Sequence, residues 1–372
     1  MQHSIIERSL EVKNKERDVL YCGVREDVIK NAMPSLNWEN VYHFKKFVID
    51  RYRVHKKKDV KRLQEPWTDN PVIREFKFTN VRREHDRQTR YLIENIVMND
   101  ELTLEDKIVN CFMFRCWNNW DTLKDFGFPY SAKIIYSTKL KEKIRPIYKK
   151  LQIADPGRLW WSNAYNQGGT KAAWKFPDGD GYERAYKESE AKKYPDWEED
   201  IALRPFHVGV WLGRNHIVKK LLAAKDQQEC FEVIKSIKGF ADFLAYQVFV
   251  DLTYIPEFPF SENEFVVAGP GCKRGLDLIF EDKDGMNYAE CMFWLRDAIN
   301  DYPISLFSAD DLDEFDDGFP VYEPMRLFSD LPKYDRKMNV MSIENCMCEL
   351  SKYVKAVNGT GRPRNKYKGG EQ

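Results

Sequence analysis

The chain has 372 residues, of which 43% are apolar, 14% aromatic and 32% charged, a composition typical of a folded protein and not of a disordered one. Lys+Arg and Asp+Glu are balanced at 59 each, which excludes a global field that attracts polyanions, so nucleic-acid binding would require local clusters of cations. No run of about 18 uncharged apolar residues occurs, and the N-terminus lacks the apolar core of a signal peptide. These features predict a cytoplasmic protein without a membrane partner.

The cysteines give no metal-binding pattern. Eight of them are scattered without a Cys-x-x-Cys pair, and only six histidines accompany them. Zinc sites need closely spaced ligands, so no structural metal site is predicted. Cys346 and Cys348 form the closest pair, and free buried thiols in a reducing compartment are the expectation.

The first predicted element with a clear period follows a short helical lead-in at residues 1–36. Apolar residues recur at intervals of three and four from Trp38 to Tyr52, which predicts one amphipathic helix from Asn37 to about Leu63. Its outer face carries cations that are usually just solvated, but here they precede a second basic stretch. The predicted outer face consists of Lys45, Lys46, Arg51, Arg53, Lys56, Lys57 and Lys58.

The stretch from Pro66 to Leu92 begins with a helix start signal. Asn70 followed by Pro71 predicts a helix N-terminus, because Asn accepts a free backbone N–H and proline fits the first helical position. Roughly helical spacing of apolar residues continues beyond this point and predicts that the helix extends through the stretch.

Arginines dominate the second half of the same stretch. Helical spacing places most of them on one side, with Asn80 and Asp86 close to that face. Such a face suits a phosphate or pyrophosphate group, and a solvated charged helix is the alternative. The predicted phosphate-binding residues are Arg82, Arg83, Arg87 and Arg90.

A buried helix and a long loop follow. Thr103 with an acidic residue three positions on predicts a helix start, and the run KIVNCFMFRCWNNW leaves little polar face. Arg115 and Asn118 would then need partners inside a cleft. From about residue 160 to 200 the periodicity dissolves, which predicts an inserted loop, and its Gly168–Lys171 segment lacks the spacing of a phosphate loop.

Two polar residues interrupt a strongly apolar helix predicted from about Gly239 to Leu252. Gln247 and Asp251 are four positions apart and therefore share a face of this helix. A buried carboxylate indicates either a salt bridge or a functional site, and the two interpretations are equally weighted.

A glycine-rich turn follows next. Ser261 opens a capping box that predicts a short helix through Val267, and an amphipathic helix follows the turn. This order resembles the helix-hairpin-helix of endonuclease III type DNA glycosylases, although proline here lies between the glycines and not before them. Glycines let the backbone approach a DNA phosphate, and N–H groups at the next helix N-terminus point towards it. The predicted DNA-binding residues of the turn are Gly269, Gly271, Lys273 and Arg274.

The rest of the chain adds charge without a catalytic pattern. The glycosylases carry a catalytic aspartate after the hairpin, and neither Glu290 nor Asp297 falls in the expected place. The acidic run at residues 310–317 lacks the spacing of a calcium loop and predicts a solvated loop. Arg362 and Arg364 lie in a basic tail that has no acid between Leu350 and Gly370 and fits a DNA backbone.

Four segments together carry a more specific resemblance: PWTDNPVIREFKFTNVRREHDRQTR, FLAYQVFVDLTY, AGPGCKRGLDLIF, and ENCMCELSKY with GTGRPRNKYK. They are similar to the alpha-glutamyl/putrescinyl thymine pyrophosphorylase group, also seen as the helical domain associated with 5-hydroxymethyluracil DNA kinases. The similarity runs from about Trp38 to Lys368. It implies a mainly α, DNA glycosylase-like architecture in one domain, residues 37–372, with the insertion at about 160–200.

The resemblance also implies a reaction and a location, the cytoplasm of a phage-infected bacterial host. A kinase first phosphorylates or pyrophosphorylates 5-hydroxymethyluracil in double-stranded DNA, and an amino acid or polyamine then displaces the pyrophosphate. The amine is a co-substrate, no cofactor is predicted, and Mg²⁺ held by scattered carboxylates stays open. A base-excision glycosylase and a noncatalytic helix-hairpin-helix DNA-binding protein are the alternatives.

The implied reaction suggests a role for each of the candidate residues. The arginine set would stabilise the departing anion, and a carboxylate would take the proton of the amine. Asp251 is the first candidate for that base and Asp86 the second. Gln247 and Asn80 would orient the base edge or the amine. The glycine turn would bind the DNA backbone.

Overall fold

The computed structural model describes residues 24–162, 202–203, 205–237, 239–261, 263–300, 338–361, 363 and 366–367. Helices dominate this part of the chain, and a two-stranded antiparallel sheet accompanies them. The prediction of a mainly α protein is confirmed. Two compact units are present, one from Arg87 to Phe260 (the first unit) and one from the chain on either side of it (the second unit).

The elements in chain order alternate short and long helices. Those before residue 130 are α1 (Glu26–Asn31), β1 (Ser35–Leu36), α2 (Trp38–His55), α3 (Pro71–Glu75), α4 (Arg87–Leu92), α5 (Leu104–Trp117) and α6 (Trp120–Asp125). Those after it are α7 (Ala132–Ile135), α8 (Lys139–Ala154), α9 (Pro205–Arg214), α10 (Ile217–Ala223), α11 (Gln227–Lys235), α12 (Asp242–Thr253), α13 (Pro270–Ile279), β2 (Phe280–Asp282), α14 (Tyr288–Asn300) and α15 (Val340–Val357). Single π-helical turns extend α2 and α4, over Lys56–Val60 and Ile93–Val97.

Helix α5 is the core of the first unit. Its predicted capping box is confirmed, because the Thr103 hydroxyl accepts the Asp106 N–H and the Asp106 carboxylate accepts the Thr103 N–H. The helix is buried on all sides from Asp106 to Trp117, and α9 and α12 pack against it. The Trp117 ring meets Phe206 edge-on, with the ring centroids 5.2 Å apart.

The second unit is organised by the contact between α13 and α15. Gly275 allows the two helices to approach closely, because a Cβ there would lie 2.2 Å from the carbonyl oxygen of Met347. Helix α2 also packs against α15. The sheet joins the two sequence-distant parts of this unit, pairing Ser35 with Asp282 and Leu36 with Phe280.

The helix predicted through the arginine-rich stretch is shorter than expected. Its start is confirmed, because the Asn70 side chain accepts the N–H groups of Val72 and Ile73. The helix ends at Glu75, so the prediction of helical structure continuing to Leu92 is wrong. The segment that follows, FKFTNV, is rich in aromatic and β-branched residues with low helix propensity.

The helix predicted from Ser261 through Val267 is also wrong, since the described residues of this stretch are not helical. The Ser261 hydroxyl accepts the Asn263 N–H at 3.2 Å, which forms a local turn. The Asn263 side chain accepts the N–H of Val340, and its carbonyl accepts a bond from Arg296. The bond from Arg296 uses the Asn263 carbonyl, which a helix would have paired. Among the described residues of this stretch, the first helix of the predicted hairpin element is therefore absent.

Other predictions have mixed outcomes. The amphipathic helix from Asn37 is confirmed as α2, but Arg51 lies inside and is 6% exposed, so its assignment to the outer face is wrong. The seven described cysteines are free and six are buried, as expected. No described helix is long and apolar enough to cross a membrane.

Several predictions concern residues outside the described part. These include most of the lead-in, the body of the insertion, the acidic run at 310–317, and the tail residues Arg362 and Arg364. The boundaries of a single domain over residues 37–372 stay a prediction, because two compact units can belong to one functional domain.

Candidate functional site

The loop between α3 and α4 brings together three of the predicted site residues: Asn80, Arg83 and Asp86. The backbone N–H of Asn80 donates to Asp86 Oδ1 at 3.0 Å. The Asn80 side-chain amide donates to the carbonyl oxygen of His85, also at 3.0 Å. Asn and Asp close turns in this way because their short polar side chains reach nearby backbone groups. The loop is therefore shaped by the polar residues that were assigned to the site.

Helix α15 holds this loop in place. The Asn345 side-chain amide donates to the carbonyl oxygen of Asn80 at 2.7 Å. The Cys346 thiol donates to the carbonyl oxygen of Val81 at 3.7 Å. Both bonds come from consecutive residues of one helix, so the loop backbone at Asn80 and Val81 is anchored to a rigid element.

The carboxyl group of Asp86 lies in a basic surrounding. Burial raises the pKa of Asp86, and the Asn80 backbone N–H and the charges of Arg83 and Arg51 offset this shift only in part. The Arg51 Nε donates to the carbonyl oxygen of Phe78 at 3.1 Å, which places its guanidinium beside the loop. The Asp86 carboxyl therefore combines a pKa above its usual range with two guanidinium charges nearby, which is the setting in which a carboxylate acts as a proton acceptor.

Two buried polar atoms of this cluster have no hydrogen-bond partner among the described residues: Arg51 Nη1 and Asn80 Oδ1. Asn80 is 7% exposed, and Arg51 is equally enclosed. Buried polar atoms are normally paired, so an open donor and an open acceptor in one cluster are features of a binding site.

Two histidines lie at the edge of the cluster. The rings of His55 and His85 are stacked, with centroids 4.2 Å apart and an interplanar angle of 13°. The His55 Nδ1 is 2.8 Å from a carboxylate oxygen of Asp59. Burial alone would raise the pKa of Asp59, but the hydrogen bond and the charge of His55 outweigh burial and lower this pKa overall. The stack therefore packs His55 of α2 against His85 of the loop.

The four predicted phosphate-binding arginines do not form a single helical face. Arg82 and Arg83 belong to the second unit, whereas Arg87 and Arg90 belong to the first. Arg82 lies 3.7 Å from the Glu84 carboxylate, and Arg83 is buried with its charge beside Asp86 and Glu344. Arg87 is exposed and lies 3.5 Å from Asp121.

Asp251 has a different environment from Asp86. It is completely buried and forms a bidentate ion pair with Arg115, which is 3% exposed. Arg115 also donates to Asn118 at 2.8 Å and to Thr89 at 3.4 Å. Gln247 lies one turn earlier on the same helix and is 6% exposed. This geometry suits a structural ion pair better than a proton acceptor, and the catalytic role of Asp251 stays a prediction.

The glycine-rich turn is the entry to α13. Gly269 is the N-cap residue, and its backbone N–H is bound by the Glu344 carboxylate of α15. Gly271 lies within the helix, where a Cβ would be 3.1 Å from the Cys348 sulfur. Lys273 and Arg274 are exposed on the outer side. A carboxyl oxygen of the chain itself thus occupies this helix N-terminus, and Gly271 packs closely against α15.

Sequence reasoning missed Arg51, His55, His85 and Glu344 as neighbours of the site. A signal was present for two of them, since Arg51 and His55 continue the three- and four-residue spacing of the buried residues Phe44 and Val48. The charge of Arg51 is the reason for its assignment to the exposed face, and His55 is not assigned to either face. Among the described residues no three His, Cys, Asp or Glu side chains are grouped to hold a metal ion, and the metal predictions stay predictions.

Comparisons with known proteins place these residues in a family. The family described as "5-hmdU DNA kinase, helical domain" matches residues 39–362. A 5-hmdU DNA kinase of Bacillus phage SP10 is 23% identical over 317 residues, which covers 82% of this chain and 43% of that protein. The chain therefore spans less than half the length of this curated relative. No solved structure matches the chain.

Proposed function

The chain belongs to the family of the 5-hmdU DNA kinase helical domain, and from this premise we propose that it takes part in the hypermodification of thymine in DNA. Its substrate is double-stranded DNA that carries a 5-(pyro)phosphoryloxymethyluracil, made by a preceding kinase step. Its reaction is the displacement of the (pyro)phosphate by an amine, either an amino acid or a polyamine.

The observation that supports this reaction is the cluster of Asp86, Arg83 and Asn80. Displacement by an amine needs a proton acceptor and a cation for the departing anion. The cluster provides a carboxyl with a raised pKa next to two guanidinium groups, those of Arg83 and Arg51. Asn80 Oδ1, without a partner among the described residues, offers an acceptor for an N–H of the base or the amine.

The chemistry balances with these groups. The amine nitrogen forms a bond to the 5-methylene carbon while the bond from that carbon to the phosphate oxygen breaks. The electron pair leaves with the (pyro)phosphate, whose negative charge Arg83 and Arg51 stabilise. Asp86 accepts the proton that the new ammonium group loses. In this proposal Asp86 is the base, and Asp251 fixes Arg115 within the first unit.

A second candidate function is noncatalytic recognition of modified thymine. The similarity to the phage 5-hmdU DNA kinase favours this candidate, because the chain matches only 43% of that protein and the kinase activity can belong to the rest of it. The printed sequence contains no Gly-Lys-Ser or Gly-Lys-Thr, the end of the usual phosphate loop. In such an arrangement this chain would bind DNA with 5-hydroxymethyluracil, and another polypeptide segment would transfer the phosphate.

The two functions differ in the nucleosides they produce. We expect an adducted nucleoside by mass spectrometry after the protein is incubated with duplex DNA containing pyrophosphorylated 5-hydroxymethyluracil and a mixture of amino acids and polyamines. The same duplex with unmodified thymine is the control and should stay unchanged. If the nucleosides stay unchanged with every amine and the protein binds the modified duplex preferentially, the transferase function is refuted and the recognition function is supported. Abasic sites would instead indicate a glycosylase.

A further inference from the structure

An aromatic pair on the second unit is surrounded by lysines. The rings of Trp67 and Tyr367 meet at 62° with centroids 6.0 Å apart, and both residues are half-buried. Lys58 Nζ lies 4.7 Å from the Trp67 ring centroid and 5.0 Å from that of Tyr367. Lys77 Nζ lies 5.6 Å from the Tyr367 ring centroid. These four residues are called the aromatic-lysine surface below.

The backbone fixes both rings. The Trp67 indole N–H donates to the carbonyl oxygen of Leu63 at 2.7 Å. The Tyr367 backbone N–H donates to the carbonyl oxygen of Glu75 at 3.1 Å. The neighbouring Lys366 forms an isolated antiparallel bridge with Phe76. Lys366 and Tyr367 thus lie beside the C-terminal end of α3, held there by backbone hydrogen bonds.

Positive charge is concentrated around the pair. Five of the seven residues from Lys56 to Arg62 are Lys or Arg, and the carboxylate within this run, Asp59, is bound by His55. Lys366 lies 2.6 Å from the Glu75 carboxylate, so one further cation is partly neutralised. Clustered cations repel one another, and a polyanion that contacts them removes this repulsion and releases its own counterions.

We propose that the aromatic-lysine surface binds an unpaired strand of nucleic acid. The bases stack against the half-buried rings of Trp67 and Tyr367, and the phosphates contact Lys58 and Lys77, which move off the rings towards them. Aromatic faces in a basic surrounding distinguish this surface from a purely ionic one, because a duplex keeps its bases stacked inside. The proposal rests on the proposed function in one respect, namely that the strand belongs to the DNA from which the modified base is extruded.

Binding can be measured separately from modification. The full chain is titrated against a fluorescein-labelled single strand of thymidylates and against the same strand in a duplex, at several salt concentrations. We expect tighter binding of the single strand. Trp67→Ala should lower its affinity about 10-fold with the salt dependence unchanged, since stacking is lost and no phosphate contact is removed. Lys58→Gln should lower the affinity and reduce the salt slope by about one.

Matched variants keep the test specific. Lys219→Gln removes an exposed lysine of α10 in the first unit and should change neither affinity nor slope. Tyr367→Ala tests the same surface without touching the Trp67 bond to Leu63, in case Trp67→Ala unfolds the chain.

Some results would overturn the proposal. One such result is an equal loss of single-strand affinity in Lys58→Gln and Lys219→Gln. Another is tighter binding of the duplex than of the single strand, with no change of affinity in Trp67→Ala or Tyr367→Ala. If the nucleoside assay shows amine transfer while the single strand does not bind, the surface is refuted and the proposed function stands. If the single strand binds but no modified nucleoside forms, the surface is supported and the proposed amine transfer is refuted.

Discussion

Asp86 accepts the backbone N–H of Asn80, six positions earlier in the chain, at 3.0 Å. The bond closes the turn that carries Arg83, and α15 anchors the turn through Asn345. The carboxyl is therefore held in one place while its pKa is raised by burial. A fixed proton acceptor beside cations is the central feature from which the proposed chemistry can be tested.

Asp86→Asn should abolish most of the transfer without unfolding the protein. The amide oxygen can still accept the Asn80 N–H, but the amide cannot take a proton from the amine, so a loss of about 100-fold in rate is expected. The rate of adduct formation is measured by nucleoside mass spectrometry, alongside thermal unfolding. Asp121→Asn changes an exposed carboxylate and should retain the full rate. A variant Asp86→Asn with more than a tenth of the rate would remove Asp86 from the mechanism.

Arg83 and Arg87 form a matched pair for the role of the cations. Arg83→Gln should lower the rate and shift its rise with pH to higher pH, because losing this cation raises the pKa of Asp86 further. Arg87 is 75% exposed on its side chain, and Arg87→Gln should leave the rate and the pH profile unchanged. The measurement is the pH dependence of adduct formation. An unshifted profile in Arg83→Gln would contradict the assigned proximity.

The local signals of the sequence predicted helix starts well. Asn70 with Pro71 and Thr103 with Asp106 are caps made of neighbouring residues, so the sequence alone contains their partners. The same cap logic failed at Ser261, because Asn263 bonds to residues far along the chain. A capping motif therefore predicts a helix only when tertiary bonds do not claim the same groups.

The site was predicted in part for a similar reason. Asn80, Arg83 and Asp86 were named from the arginine-rich stretch, but on a helix that does not form. The loop that joins them depends on α15, more than 250 residues away in sequence. Glu344 belongs to that helix, and no local pattern could have linked it to Arg83. Long-range packing, and not composition, decides which charges meet.

Glu344 should make the stability of the protein depend on pH. Burial raises its pKa, and the bonds from Cys348 and Gly269 and the charge of Arg83 offset the shift only in part. A raised carboxyl pKa in the folded state gives a contribution to stability that is complete below the unfolded pKa of about 4.3. This contribution is lost as the pH rises through the folded pKa.

Comparison with Glu344→Gln isolates that effect. The glutamine can accept the same Gly269 N–H but does not ionise, so the wild-type protein should lose stability relative to Glu344→Gln as the pH rises from about 4 to 7. The unfolding temperatures of both proteins across this range provide the measurement. A difference that stays constant or changes in the opposite direction would show that folding does not raise the pKa of Glu344.

The glycines of α13 separate helix packing from DNA contact. Gly275→Ala should destabilise the protein strongly, by about 3 kcal/mol, because the new Cβ would lie 2.2 Å from the Met347 backbone. Gly271→Ala should cost less, since its nearest neighbour is the Cys348 sulfur at 3.1 Å, the end of a side chain that can move. Urea unfolding gives both values. If Gly271→Ala instead weakens duplex binding with unchanged stability, the predicted DNA-binding role of this turn is supported.

Asp251 provides the last test, because its two interpretations predict opposite results. As the buried partner of Arg115, it stabilises the first unit, and Asp251→Asn should cost about 3 kcal/mol by leaving a guanidinium without its counter-charge. The double variant Asp251→Asn with Arg115→Met should recover part of this loss, since no buried charge remains. Urea unfolding and the rate of adduct formation are measured together. A large loss of rate in Asp251→Asn at unchanged stability would instead support Asp251 as the base, since a proton acceptor can be removed without breaking the core.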